Sequence, residues 1–236
     1  MTDREIIFGR LREALSVKAV RPGHHGASAP TEPIPTSGSK TAPLAANARQ
    51  WLPSVPSDEA GRWELFQKNA INLKASFHRF ETMEALKAHL EKMRQEEGWK
   101  KIASHQGELT DAVCPKLGLP VCQTNGGYDK AELESCDAGI TECDALVAQT
   151  GSVLVTSRSA GGRALSVLPP HHVVLARSSQ LVADLPDAFG LLQRKYADNY
   201  PSLISFITGP SRTGDIERIL VLGAHGPKRL TILCLD

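Results

Sequence analysis

The chain has 236 residues, 41% of them apolar and 22% charged, with a formal net charge of +1. That length and balance fit one large α/β domain with a substantial core. A near-neutral chain without a basic stripe lacks the electrostatic footprint of a nucleic-acid binder, and an aromatic content of 5% argues against a base-stacking platform.

Residues 3–15 carry Ile7, Leu11, Ala14 and Leu15 at helical spacing, which predicts a short amphipathic N-terminal helix. Seven of the fifteen prolines fall between 16 and 57, so this stretch is expected to be a Pro/Gly/Ser-rich linker or arm. The α/β domain then runs from 58 to 236. Trp63, Phe66, Ala70 and Leu73 line one face of a predicted helix, with Ser57 as its N-cap. Phe77 and Phe80 bracket a short strand. Met83, Leu86, Leu90 and Met93 mark the next helix, which Gly98 should end. A strand at 101–103 and a helix over 106–117, stopped by Gly118, follow. The runs 145–148 and 153–156 flank Thr150-Gly151 and predict an antiparallel hairpin. Val173–Ala176 is a further apolar run. Leu185, Phe189, Leu192 and Tyr196 give a helix face. The last unit reads as a strand at 203–207, a helix over about 213–221 and a strand at 230–235. Alternating strands and helices predict a sheet covered on both faces.

The segment Gly209-Pro210-Ser211-Arg212-Thr213-Gly214-Asp215-Ile216-Glu217 follows an apolar strand. If a helix begins there, its free amides and dipole favour an anion, with Gly209, Ser211, Arg212 and Thr213 as contacts. Asp215 and Glu217 already complement such a dipole, so a capped helix start without a ligand is the alternative. His225 lies in the Gly-Ala-His-Gly-Pro turn, either facing solvent or acting as an acid, base or anion donor. Arg163 follows two glycines and could clamp a carboxylate or phosphate, or be a surface charge. Glu142 at a strand end could act as a base or nucleophile, or be a solvated edge residue. His171 and His172 are adjacent in a strand and point to opposite faces, which makes them poor joint metal ligands. His24 and His25 fall in the Pro-rich arm. No metal site is expected.

Cys114, Cys122, Cys136, Cys143 and Cys234 contain no Cys-x-x-Cys pair, so no iron–sulfur cluster or zinc ribbon is expected within this chain. The mixed charge of Thr2-Asp3-Arg4-Glu5, without an apolar run behind it, gives no secretory signal or membrane span. A soluble cytoplasmic protein is expected.

The ordered set Gly139-Ile140-Thr141, Thr150-Gly151-Ser152, Arg163-Ala164-Leu165, Leu168-Pro169 and His172-Val173 resembles the LUD-domain family, in its lactate utilization protein C group. The segment 209–217 resembles that family's Gly-Pro-Ser-x-Thr-x-Asp-Ile-Glu motif, and 223–227 its Gly-x-His-Gly-Pro segment. The likeness is strong over 137–236 and weaker over 1–15 and 58–110. It implies a three-layer α/β/α fold, as in glucosamine-phosphate and ribose-phosphate isomerases, coenzyme A transferases and formyltetrahydrofolate cyclo-ligase. It also implies an accessory role in oxidising L-lactate to pyruvate beside partner subunits that carry iron–sulfur clusters. The ligand-binding residues it implies, together with the turn, are Thr150, Gly151, Arg163, His172, Gly209, Ser211, Arg212 and Thr213, with Glu142 and His225 as proton-transfer candidates. A second copy of the chain is a further candidate partner. The alternative is an enzyme acting on a phosphorylated, acyl-coenzyme A or folate-type substrate. Family members often carry an acid before Thr-Gly-Thr, where this chain has Gln149 and Ser152.

Overall fold

The computed structural model describes residues 52–216, 219–222 and 226–236. The expected N-terminal helix, most of the Pro-rich arm, Glu217 and His225 lie outside the described residues.

Helix α1 (Glu59–Asn72) starts where the Asp58 carboxylate accepts from the Gly61 amide at 2.8 Å. The cap is therefore Asp58 and not Ser57, because the carboxylate reaches the first-turn amides from the extended residue just outside the helix. Strand β1 (Ser76–Phe80), helix α2 (Met83–Glu97) and strand β2 (Ile102–Ser104) follow. Thr82 caps α2, and Gly98 ends it in the left-handed region at φ +68°. Helix α3 (Glu108–Val113) runs into a 3₁₀ turn, then come β3 (Val121–Gln123) and helix α4 (Lys130–Glu134).

Strands β1, β2 and β3 join β4 (Ala138–Glu142), β7 (His171–Arg177) and β12 (Arg229–Leu235) in a six-stranded sheet. Its order is β1-β12-β7-β4-β2-β3 and every pair is parallel. Strands buried on both faces read as continuous apolar runs, as 173–176 does. A second sheet contains β5 (Ala145–Val147), β6 (Ser152–Thr156), β8 (Leu181–Val182) and β9 (Ile204–Ile207) in the order β8-β5-β6-β9. The β5–β6 pair is the antiparallel hairpin that the Thr150-Gly151 turn predicts.

One face of the parallel sheet packs on α2 and α3 through Leu86, Leu90, Leu109, Val113, Val173 and Leu233. The other packs on α1 and the second sheet through Phe66, Phe77, Val153, Val174 and Ile232. Helix α5 (Leu185–Tyr196) covers the far side of the second sheet with Ala188, Leu192 and Tyr196. The three-layer α/β expectation holds, with an extra small sheet inserted on one side.

A second expectation, after the Ser57 cap, is corrected. Residues expected to form a helix over 213–221 form an antiparallel hairpin, β10 (Arg212–Ile216) with β11 (Ile219–Leu222). Gly214 is a poor helix-interior residue, while Thr213, Ile216, Ile219 and Val221 are β-branched and favour extended backbone. Strands β9 and β12 belong to different sheets, so no βαβ crossover joins them.

The Gly151 turn rests on α1. A Cβ on Gly151 would come within 2.5 Å of the Ala70 nitrogen, and its φ is +66°. Gly98, at φ +68°, has nothing within 4 Å of such a Cβ. Gly98→Ala is expected to cost about 1–2 kcal/mol from backbone strain alone. Gly151→Ala should cost roughly 1–3 kcal/mol more through overpacking. Urea denaturation of the two variants checks the ordering.

Candidate functional site

Strand β7 begins with two histidines, and both are buried. Their side chains leave on opposite faces of the sheet. His171 meets Glu97 and Trp99 on the α2 side. His172 lies on the side of the second sheet. Its register partner on β4 is Gly139, whose missing Cβ would fall 2.5 Å from the Leu165 carbonyl oxygen. The small residue leaves the ring within reach of Thr141, whose Oγ1 lies 2.8 Å from His172 Nε2. The other ring nitrogen, Nδ1, is buried and has no hydrogen-bond partner among the described residues.

His172 is part of the wall of a cavity of about 280 Å³ between the start of β7 and β12 and the strand β9. Arg163, Gly209 and Ser211 line the same cavity, so four residues singled out in the sequence converge there. Ser166, Ser205 and Thr208 add hydroxyls, and Val167, Leu203, Ile207, Pro210, Pro227 and Leu230 make the rest of the wall largely apolar. Among the described residues no carboxylate lines it. Arg163 is exposed at the cavity and has no acidic partner among the described residues. Among the described residues, one cation without an acidic partner, several hydroxyls and no acid favour an anion; the apolar wall favours a ligand with a carbon body. The volume is close to the low end of the range of about 300–1,000 Å³ for small-molecule sites.

The rationale for the turn changes with the hairpin. No helix starts at 213, so no dipole points at the cavity. The Ser211 amide donates to the Pro227 carbonyl at 2.9 Å. Arg212 turns to the Leu73 carbonyl at the end of α1 and is not part of the cavity wall. Thr213 lies in β10.

Thr150 and Gly151 sit apart from the cavity wall, in the hairpin turn against α1, where Asn69 donates to the Ala148 and Gln149 carbonyls at 3.0 and 2.9 Å. Gln149 donates to the Pro53 carbonyl at 2.9 Å. Glu142 ends β4, about 10 Å along the strands from the level of His172. Its Oε1 accepts from the Leu109 and Thr110 amides at 2.7 and 3.1 Å. Its own amide donates to His105 Nε2 at 3.1 Å. In parallel sheets ligands favour the carboxyl ends of strands where the order reverses. Here that point lies between β2 and β4, and the chain fills it with Glu142 and His105. The cavity opens instead at the amino ends of β7 and β12.

Asp144, beside Cys143, is buried. Burial disfavours its charge, but hydrogen bonds from Lys195, Ser159 and Tyr196 outweigh that and hold its carboxyl below the usual range. Burial pushes the Cys143 thiol well up, which removes it as a nucleophile. Thr141, Ser166, Ser205 and Thr208 escaped the sequence reading. Thr208 had a usable signal, since it directly precedes the Gly-Pro-Ser turn; a lone Ser or Thr in a strand carries none.

A family model described as the LUD domain matches residues 63–235. The chain belongs to the LUD-domain family. It is similar to Lactate utilization protein C 1 of Bacillus mycoides, with 35% identity over 136 residues, which is 51% of this chain and 58% of that protein. It is also similar to Lactate utilization protein C of Halalkalibacterium halodurans, with 37% identity over 48% of this chain and 50% of that protein. The alignments thus span about half of these relatives. A crystal structure of a DUF162 family protein from Deinococcus radiodurans superposes with a TM-score of 0.61 at 19% identity, over 77% of this LUD-domain chain and 100% of that one. That likeness establishes a shared fold. No helix among the described residues is long and apolar enough to cross a membrane.

Burial, with His171 beside it, lowers the His172 imidazole from an ordinary value of 6.5 to about 3. The unfolded ring takes up a proton near pH 6.5 that the folded protein refuses until about pH 3. Stability therefore falls as pH drops through that window, and His171 and His105, also lowered by burial, act in the same direction. His172→Gln should flatten the acid side of the stability curve by up to about 1.4 kcal/mol per pH unit. Urea unfolding from neutral to acid pH measures the slope. An unchanged slope would remove His172 as a buried neutral base.

Proposed function

We propose that this chain is the cluster-free, cytoplasmic accessory subunit of an L-lactate oxidation system and that its cavity holds a small anion with an apolar body. The observation that carries this reading is the meeting of Arg163, Ser211 and His172 in a cavity that no carboxylate lines among the described residues. The names of the relatives, each Lactate utilization protein C, support the pathway. Cysteine placement supports the division of labour. The five thiols are all buried, in three separate apolar groups. Burial pushes Cys114 and Cys136 up to about 11 and Cys234 to about 12. Cluster ligation needs thiolates, so the clusters belong on partner subunits in this reading.

The cavity is generous for lactate itself. Its ligand is therefore read as a larger carboxylate, or a phosphate ester received by the Ser166, Ser205, Thr208 and Ser211 hydroxyls. The second of these would suit an enzyme acting on a phosphorylated or acyl substrate.

Two measurements test the proposal. A panel of aliphatic and aromatic carboxylates, sugar phosphates and acyl-coenzyme A is screened by thermal shift. A ligand at a hundred times its Kd stabilises by about 2.7 kcal/mol, and Arg163→Ala or Ser211→Ala should abolish the response. Lactate-dependent reduction of an electron acceptor by the purified iron–sulfur partners should then rise when this chain is added. Full activity of the partners alone contradicts the accessory role, and turnover of a screened ligand by this chain alone favours the enzyme.

A further inference from the structure

The other histidine of β7 stands in a different constellation. Glu97, the last residue of α2, accepts at Oε2 from Trp99 Nε1 at 2.7 Å, from His171 Nδ1 at 2.9 Å and from Arg229 at 2.8 Å. An ionised carboxylate only accepts, so the His171 proton sits on Nδ1. Burial lowers His171 from its ordinary value even with Glu97 beside it, so the ring is neutral at pH 7 and Nε2 carries a lone pair. His171 Nε2 lies 2.8 Å from Thr231 Oγ1. With Nε2 unprotonated, the Thr231 hydroxyl must donate, and its proton points at the imidazole. Register builds this arrangement: Arg229 pairs with His171 across β12 and β7, which puts Thr231 two residues on and on the same face.

Thr231 and Glu97 line a second cavity, of about 250 Å³, bounded by β1, β12 and α2. Lys92, His78 and His89 also line it and supply N–H donors, and Glu96 lines it as a second carboxylate, 3.7 Å from the Lys92 ammonium. An acyl-transfer site requires a hydroxyl bonded to a neutral imidazole, a carboxylate orienting that imidazole and space beside the hydroxyl.

We propose that Thr231, His171 and Glu97 form a nucleophile–base–orienting relay that accepts the acyl group of an activated ester or thioester entering the cavity beside α2. Thr231 Oγ1 attacks the carbonyl carbon while its proton passes to His171 Nε2. The tetrahedral adduct, its oxyanion met by the cavity's N–H donors, expels the alcohol or thiol, which takes the proton from His171. An acyl–Thr231 ester remains. Water hydrolyses it with His171 again as the base, which restores the hydroxyl and releases the acid. Glu97 touches no substrate and is a positioning residue. The inference does not depend on the lactate reading or on the first cavity.

The full chain is mixed with p-nitrophenyl acetate, and p-nitrophenolate release is followed in parallel with peptide mass mapping. The relay predicts a burst stoichiometric with protein and an acetyl group on Thr231. Thr231→Ser should keep the burst, and Thr231→Val should abolish it while retaining the thermal transition. Glu97→Gln should slow it on the order of a hundredfold and move the inflection of its pH profile downward, because the imidazolium loses its carboxylate. Mapping on the unmodified protein decides the matter even if a variant fails to fold. No burst, or acetyl groups on lysines alone, overturns the proposal and leaves the triad a structural bridge.

Discussion

The placement of β7 in the middle of the parallel sheet governs both cavities. Its neighbours β4 and β12 bury it along nearly its whole length. Strand geometry then sends His171 and His172 to opposite faces, and neither can reach water freely. A buried imidazole must either find partners or stay neutral. The two rings solve this differently. His171 uses both nitrogens, on Glu97 and Thr231, whereas His172 uses one nitrogen on Thr141 and leaves the other open. One dipeptide thus generates two environments, a satisfied relay on the α2 face and an unsatisfied wall on the other.

The carboxyl ends of the strands tell the complementary story. An open α/β sheet offers a crevice where its order reverses, yet here Glu142 caps α3 with its own carboxylate and His105 braces the β4 backbone. The charge that could have served a ligand serves the chain. The cavity with Arg163 opens at the opposite end because β9, from the second sheet, passes over the beginnings of β7 and β12, and their side chains do not fill the gap. Sharing an α/β sheet therefore does not by itself carry a site at the carboxyl ends of its strands.

Much of the fold was legible because its signals were local and periodic. Met83, Leu86, Leu90 and Met93 with Gly98 defined α2, and two apolar runs around Thr150-Gly151 defined the β5–β6 hairpin. The 209–222 segment misled because Ser211, Asp215 and Glu217 imitate a helix start, while the β-branched residues that decide for strands are interleaved with them. Strand β3 and helix α4 are too short to show a period. The division into two sheets depends on pairings such as β6 with β9 that no local pattern encodes. Of the site, Gly209, Ser211, Arg163 and His172 were readable through motif. Thr208 offered only its place before the Gly-Pro-Ser turn, and Ser205 offered nothing, since a strand hydroxyl becomes a ligand contact only when the fold turns it into a cavity.

The most direct test of the central claim is the nitrogen-15 spectrum of the His172 ring during titration with small carboxylates and phosphates. A neutral ring protonated at Nδ1, with Nε2 accepting from Thr141, is expected, and its nitrogen resonances should shift saturably with the anion and cease to respond in Arg163→Ala. A ring protonated at Nε2 and indifferent to every anion at high concentration would contradict it.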